Sequence, residues 1–384
     1  MHRVLWGASG GLPRRASGRN GREGGVGLAR SPGVVRFSKG GGMSEEVLWE
    51  RDLHQRGSGS ELAVGDDCVV VHERWTRLVC LDRWDGTVRW DVPFGLWPRA
   101  VAVAGDRCFG IAQNIDALTC WDLRTGTVLW TVPLPRFTGY ITATDDTVLI
   151  GGWRGYTDLT ALDSATGHIR WSASGRAATV PPVASGNTVL IGAPDGEEVR
   201  LLNVHDGHEL GRWVLPEALR STDCQRIFAP GGSDRLLIHC GRRTVVELRP
   251  ATGELRTLLR HDSDQTWFQA RYVGGLLWLG DKQGCAAYDP ADGSLRRRVD
   301  IGQRFAPGVV PIGTGFLLGG DQGTLLRLDS AGHIVRRTTV SRRISALHAA
   351  GPADDPDVVL VVTRGTLIAI RIRASHEAVD QFAV

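Results

Sequence analysis

The chain has 384 residues and a formal net charge of only +3, with 45 basic residues against 42 acidic ones. So small an excess speaks against nucleic acid as a partner, since polyanion binding needs many released counterions. Seven cysteines occur with no Cys-x-x-Cys spacing, which leaves no support for a zinc site or a disulfide framework.

Residues 1–42 are rich in Gly, Arg and Ser and carry no strand pattern. A segment of that composition cannot bury enough apolar surface to offset its ordering entropy, so a disordered leader is expected there. The only methionines are Met1 and Met43, and SKGGG just before Met43 reads as a ribosome-binding sequence translated in frame. The expected native start is therefore Met43, with residues 43–384 as one domain. Neither start offers the apolar stretch of a secretory signal. A cytoplasmic location without a membrane partner is expected.

After the leader, Val47–Leu53 reads as a lone strand carrying Trp49. The chain then writes LVCLDRWDGTVRW (78–90) and repeats it as LTCWDLRTGTVLW (118–130) and LTALDSATGHIRW (159–171). Each copy is an apolar run, an Asp, a turn closed by Gly, and a Trp four residues later, which is the pattern of a β-hairpin. The turn glycine recurs at Gly86, Gly126, Gly167, Gly207, Gly253, Gly293 and Gly332, at intervals by subtraction of 40, 41, 40, 46, 40 and 39 residues. A second strand pair lies between successive hairpins, as in LAVGDDCVVVHERW and ITATDDTVLIGGW. Four strands per period of about forty residues define a propeller blade.

Seven periods carry the turn. Val358–Ile372 supplies strands without the outer one, and Val47–Leu53 supplies an outer strand without the others. The expected fold is all-β: an eight-bladed β-propeller of four-stranded antiparallel blades, its last blade closed by both termini. The blades are expected at about 60–92, 100–132, 140–173, 179–214, 225–259, 267–300, 308–340, and 346–373 with 46–53. Trp90, Trp130 and Trp171 are read as packing residues between blades. Cys68 and Cys108 are 40 residues apart, as are Cys80 and Cys120, and both pairs are read as small core residues at equivalent blade positions.

The pattern apolar-x-A-L-D-x-x-T-G-x-x-x-W in LTALDSATGHIRW resembles the repeat of the pyrroloquinoline-quinone-like propeller family. The resemblance covers nearly everything after Met43. It weakens where VRLLNVHDGHEL and VVELRPATGEL lack the Trp, and in LLRLDSAGHIV, where the turn is one residue shorter. The family includes quinoprotein alcohol dehydrogenases, an outer-membrane assembly lipoprotein and proteins without a cofactor. A dehydrogenase of this family implies a vicinal Cys pair, a calcium site, a catalytic Asp and an export signal. This chain has no adjacent cysteines and no such signal, and none of its Asp residues matches the catalytic position.

Other patterns carry little. Gly7–Gly11 fits a G-x-S-x-G nucleophile pattern by letter, without the flanking strand and helix. His205 and His208 flank a turn with no third ligand in view and are read as solvated.

One constellation remains. Connections from each outer strand to the next inner strand rim the central channel, and they carry Arg56, Arg99, Arg136, Arg176, Arg220, Arg304 and Arg343. The sixth blade instead presents HDSDQTW, with His261, Asp262, Asp264 and Trp267. Trp97, Phe137, Tyr140, Trp153 and Phe305 accompany the ring, and Asp195, Asp281 and Asp321 lie on turns of the same face. The sequence bias is also relevant, since Lys39 and Lys282 are the only lysines. Arginines converging on one mouth form a funnel for carboxylate or phosphate. The candidate ligand-binding residues are therefore Arg56, Arg99, Arg136, Arg176, Arg220, Arg304, Arg343, Trp97, Trp267 and Asp264.

The expected function is a non-catalytic cytoplasmic scaffold, without a cofactor, that binds a protein partner or small anionic ligand on this face. The alternatives are an oxidoreductase dependent on pyrroloquinoline quinone, or an accessory subunit of a neighbouring enzyme.

Overall fold

Eight four-stranded antiparallel sheets make up the described chain, seven of them ordered inner strand to outer strand as the sequence runs. The structure is a computed structural model. It describes residues 45–372 apart from 55–60, 97, 113, 136–137, 153–157, 177–180, 194, 220–226, 229–233, 242, 262–268, 281, 341, 352–355 and 357. Residues 36–384 form one unit, to which every described residue belongs.

The eight sheets are the blades of a β-propeller and cover residues 62–93, 98–133, 138–176, 183–214, 227–260, 269–300, 305–339 and 344–372. The eighth sheet takes its outer strand from Glu45–Asp52, which pairs antiparallel with Thr366–Ile372. The middle strands read as continuous apolar runs because both of their faces are covered by neighbouring blades. Cys68–Glu73, Leu236–Cys240 and Val358–Thr363 are buried at every position.

The repeated Asp and Gly build the turn between third and outer strands. In blade 2 the Gly126 N–H donates to the Asp122 carbonyl at 2.9 Å. The Asp122 carboxylate accepts from the backbone N–H groups of Arg124 and Thr125 at 3.1 and 2.7 Å. Gly126 has φ +72°, and a Cβ there would lie 2.7 Å from the Trp90 ring of blade 1. Glycine is thus required twice, for backbone conformation and for close approach.

The Trp of each early repeat docks on that turn in the next blade. The indole N–H of Trp49 donates to the Arg83 carbonyl at 3.0 Å, Trp90 to Leu123 at 2.7 Å, Trp130 to Ser164 at 3.1 Å and Trp171 to Val204 at 2.9 Å. Later blades solve the same packing differently. Trp213 sits two residues further along its strand and donates to the Gly253 carbonyl at 2.9 Å. Where the Trp is lost, guanidinium groups reach the next turn: Arg256 to Ala291 and Arg297 to Ser330, both at 2.8 Å. Arg297 also lies over the rings of Trp278 and Phe316, with its carbon 5.9 and 5.2 Å from their centroids. The planar cation replaces both the indole donor and part of its stacking surface.

The register corrects one expectation. Cys80 and Cys120 are equivalent, opposite Trp90 and Trp130. Cys68 and Cys108 are not, because Cys68 lies opposite the turn acid Asp82, whereas in blade 2 that place belongs to Arg107, opposite Asp122. The connection between middle strands is one residue longer in blade 2, so a spacing of forty does not preserve position there. Cys68, Cys80 and Cys108 share the core between blades 1 and 2, and Cys120 lies in the core between blades 2 and 3.

Candidate functional site

Propeller connectivity places the outer-to-inner connections and the turns between middle strands on one face, around the channel. Of the sequence-expected site residues, Arg56, Trp97, Arg136, Arg220, Asp264 and Trp267 lie outside the described residues. Arg176 is described only in its backbone, as the last residue of the outer strand Ile169–Arg176; it is not in a connection. Arg99 likewise belongs to a strand, as the second residue of the inner strand Pro98–Ala104. Arg304 immediately precedes the inner strand Phe305–Ile312, and Arg343 immediately precedes Ile344–Ala350. The Arg304 carbonyl accepts from the Asp321 N–H at 2.9 Å, tying that entry to the middle turn of blade 7.

The accompanying residues divide. Phe305 is 1% exposed and packs with Trp278 and Phe316 in the core between blades 6 and 7, so it belongs to the core and not to the channel rim. Tyr140 is also buried, and its hydroxyl has no hydrogen-bond partner among the described residues. Asp195 caps its own turn through the Glu197 N–H at 2.9 Å. His205 approaches Asp146 of blade 3 at 3.4 Å. Phe137, Trp153, Asp262 and Asp281 lie outside the described residues.

Three polar residues on or beside inner strands were missed by the sequence reading. The cross-sheet row Ala63–Val70–Cys80–Trp90 in blade 1 runs from the inner strand to the docking Trp. Its counterparts are Arg271–Trp278–Ala287–Arg297 in blade 6 and His348–Leu360–Ala369–Trp49 in blade 8. Arg271 and His348 thus stand where blade 1 has Ala63. A charged residue within an otherwise apolar inner strand was the available signal, and it is visible only after the strands are put in register. The third is Glu61, whose carbonyl accepts from the His72 N–H at 3.0 Å and extends the inner strand Leu62–Val64.

These groups are electrostatically coupled around the channel. Burial pushes the Glu61 carboxyl up to about 7, against the positive charge of Arg99. Burial pushes His348 down to about 4, helped by the charge of Arg271. Arg99 also lines a recess with Ile111, Asp116, Leu134 and Thr138. Guanidinium groups suit a carboxylate-bearing ligand through charge-assisted hydrogen bonds, while His348, held neutral, adds no positive charge of its own.

The pH dependence of stability follows. Between about pH 4.5 and 7 the folded Glu61 keeps a proton that the unfolded chain releases, so its contribution falls as pH rises through that window. His348 acts in the opposite sense: the unfolded chain takes up a proton below about 6.5 that the fold resists, so stability is lost as pH falls toward 4. Glu61→Gln should therefore raise the melting temperature at about pH 8 more than at about pH 5, and His348→Gln should flatten the acid side. Calorimetric melting at the two pH values reads both effects.

The family described as outer membrane protein assembly factor BamB, a PQQ-like repeat family, matches at residues 33–119 and 114–266. No curated protein sequence matches the chain. Among solved structures, BamB from Moraxella catarrhalis has 16% identity and a TM-score of 0.66, covering 86% of this chain and 100% of its own. A europium-containing methanol dehydrogenase has 11% identity and a TM-score of 0.67, covering 86% of this chain and 93% of its own. The quinohemoprotein alcohol dehydrogenase ADHIIG from Pseudomonas putida HK5 has 12% identity and a TM-score of 0.63, covering 88% of this chain and 78% of its own. At these identities the structures speak to fold alone, and an assembly factor shares it with dehydrogenases. The two sequence matches together span more than half of the 384 residues, and with the eight blades and their docked Trp residues they identify the chain as a member of the PQQ-like β-propeller family.

Proposed function

We propose that this propeller is a non-catalytic scaffold acting in the cytoplasm, which takes an acidic segment of a protein partner, or a small carboxylate ligand, at its channel mouth. The observation that carries the reading is the placement of Arg99, Arg304 and Arg343 at the starts of the inner strands of blades 2, 7 and 8, with Arg271 further along the inner strand of blade 6. Guanidinium groups on rigid strand ends around one opening are suited to bidentate recognition of carboxylates. An assembly factor among the fold's relatives supports a partner-binding role.

The family's dehydrogenases imply a quinone and a calcium ion. Among the described residues no three His, Cys, Asp or Glu side chains stand close enough to hold a cation. The six described cysteines are all buried, and none is adjacent to another in sequence.

Isothermal titration with a capped glutamate decapeptide at physiological salt tests the reading. Saturable binding is expected, and the Arg99→Ala/Arg304→Ala/Arg343→Ala variant should bind at least about tenfold more weakly, since each charge-assisted contact is worth roughly 1.5–3 kcal/mol. Equal binding by the variant would remove the proposal. Saturable pyrroloquinoline quinone binding with calcium, followed by dye-linked alcohol oxidation, would replace it with the oxidoreductase reading.

A further inference from the structure

Three of the described cysteines meet between blades 1 and 2. Cys68 lies on the second strand of blade 1, Cys68–Glu73, Cys80 on its third strand, Arg77–Asp82, and Cys108 on the second strand of blade 2, Arg107–Ala112. All three are 0% exposed and belong to one apolar core with Trp90 and Phe94. Trp90 already supplies the donor to the Leu123 carbonyl, and the Cys80 sulfur lies 4.0 Å from the same oxygen.

The register of the sheet pairs two of the thiols. Cys80 is directly opposite Val70 and Cys68 is opposite Asp82, so Cys68 and Cys80 project from one face of the sheet as diagonal neighbours. Their thiols are hydrogen-bonded to each other, which lowers the pKa of Cys68 and raises that of Cys80. The pair thus concentrates on Cys68 the thiolate character that a metal ion requires. The Arg89 guanidinium favours the thiolate at both positions, while Asp66 and Asp67 oppose it at Cys68.

The spacing and the burial decide what can join these sulfurs. Diagonal neighbours in an antiparallel pair stand about 7–8 Å apart, whereas the Cα atoms of a disulfide are about 4.4–6.8 Å apart. An ion between the sulfurs suits the wider spacing better than a bond. Zinc would need four such ligands, and among the described residues no three His, Cys, Asp or Glu side chains could hold a metal ion. A monovalent ion needs fewer ligands, and by displacing one thiol proton to solvent it leaves the charge of the buried pair unchanged. Thiolates are soft ligands, which select copper(I).

The pair sits one turn beneath the surface. A Cβ on Gly65 would lie 3.0 Å from the Cys68 sulfur, and the Gly65 N–H donates to the Cys68 carbonyl at 2.9 Å. Gly65 opens the hairpin turn whose Asp66 and Asp67 are exposed, the latter paired with Arg89 at 2.8 Å. Local opening of that one turn uncovers the sulfur without unfolding the blade.

We infer that Cys68 and Cys80 form a two-coordinate site for copper(I) in the core between blades 1 and 2. The ion bonds to both sulfurs, one thiol proton leaves to solvent, and Cys108 remains a packing residue. The site is independent of what the channel mouth binds.

Anaerobic titration of the full chain with copper(I), supplied as its bicinchoninate complex, tests the site. The chain should withdraw a single copper(I) from the chelator while its β-sheet circular dichroism stays unchanged. Cys68→Ala and Cys80→Ala should each weaken uptake by more than about a hundredfold, beyond the roughly 10–100-fold that changes outside the ligands cost. Cys108→Ala and the channel variant Arg99→Ala/Arg304→Ala/Arg343→Ala should load as the parent does. X-ray absorption at the copper edge of the loaded parent chain gives a reading that needs no variant, with two sulfur neighbours expected and no third. The inference is overturned if the chain does not compete with the chelator, if loading abolishes the sheet spectrum, if Cys68→Ala or Cys80→Ala loads as the parent does, or if the copper edge shows three sulfur neighbours.

Discussion

Trp90→Ala should lower the unfolding free energy by about 3–5 kcal/mol, the usual cost of truncating a large buried aromatic side chain. Trp90 is 6% exposed, packs in the core between blades 1 and 2, and bonds the Leu123 carbonyl at 2.7 Å. Removing it opens a cavity, strips a turn carbonyl of its donor and leaves Gly126 without the ring it packs against. Trp213→Ala gives the comparison. Trp213 is only half-buried against the core between blades 4 and 5, and its bond to Gly253 lies in an exposed setting, so a smaller loss of about 1–2 kcal/mol is expected from partial burial and one hydrogen bond. Urea unfolding followed by circular dichroism measures both; equal losses would mean that the docking Trp residues do not contribute through burial.

Glu73→Ala should cost about 2–3 kcal/mol, since its buried carboxylate accepts from Arg51 at 2.7 and 3.0 Å and approaches Arg74 at 3.3 Å. Removing one partner of a fully buried pair costs roughly 3–5 kcal/mol because the other charge is stranded. The figure is reduced here because Arg51 and Arg74 are 21% and 50% exposed and water can reach them. Glu73→Gln should recover part of the loss, since the amide still accepts a hydrogen bond from Arg51. A variant at Glu73 with unchanged stability would show that the carboxylate is not what holds the blade 1 turn. Chemical denaturation of the three proteins decides this.

Architecture was legible because each repeat must solve the same packing problem. A turn needs a left-handed residue, and the neighbouring blade's Trp leaves no room for a Cβ, so Gly recurs at a spacing that counts the blades. Where blades 5 and 6 use Arg256 and Arg297 instead of Trp, the motif fades in sequence although the job persists. The candidate site was less legible. Arg99, Arg304 and Arg343 could be placed at blade entries from spacing alone, but Arg271 and His348 could not. Their position depends on cross-sheet register, and one extra residue in the middle connection of blade 2 is enough to shift it, as Cys68 and Cys108 show. Phe305 failed for a related reason: a residue beside a connection can turn into the core as readily as toward the channel. The left-handed backbone of Arg74 and Trp75, at φ 53° and 65°, has no sequence signature, since neither residue type suggests a left-handed turn.

The composite eighth sheet has a consequence for the order of events during synthesis. Strand Thr366–Ile372 finds its partner in Glu45–Asp52, and the ion pair between Glu46 and Arg371 at 3.3 Å joins positions 325 residues apart. Translation delivers the early strand first, so it must wait, unpaired, while seven other sheets emerge and fold. Contacts this distant along the chain are slow to form, and during the delay the exposed β-edge is open to pairing with another nascent chain. Efficient production in a cell will therefore depend more on keeping chains apart until elongation finishes than on the final stability of the ring.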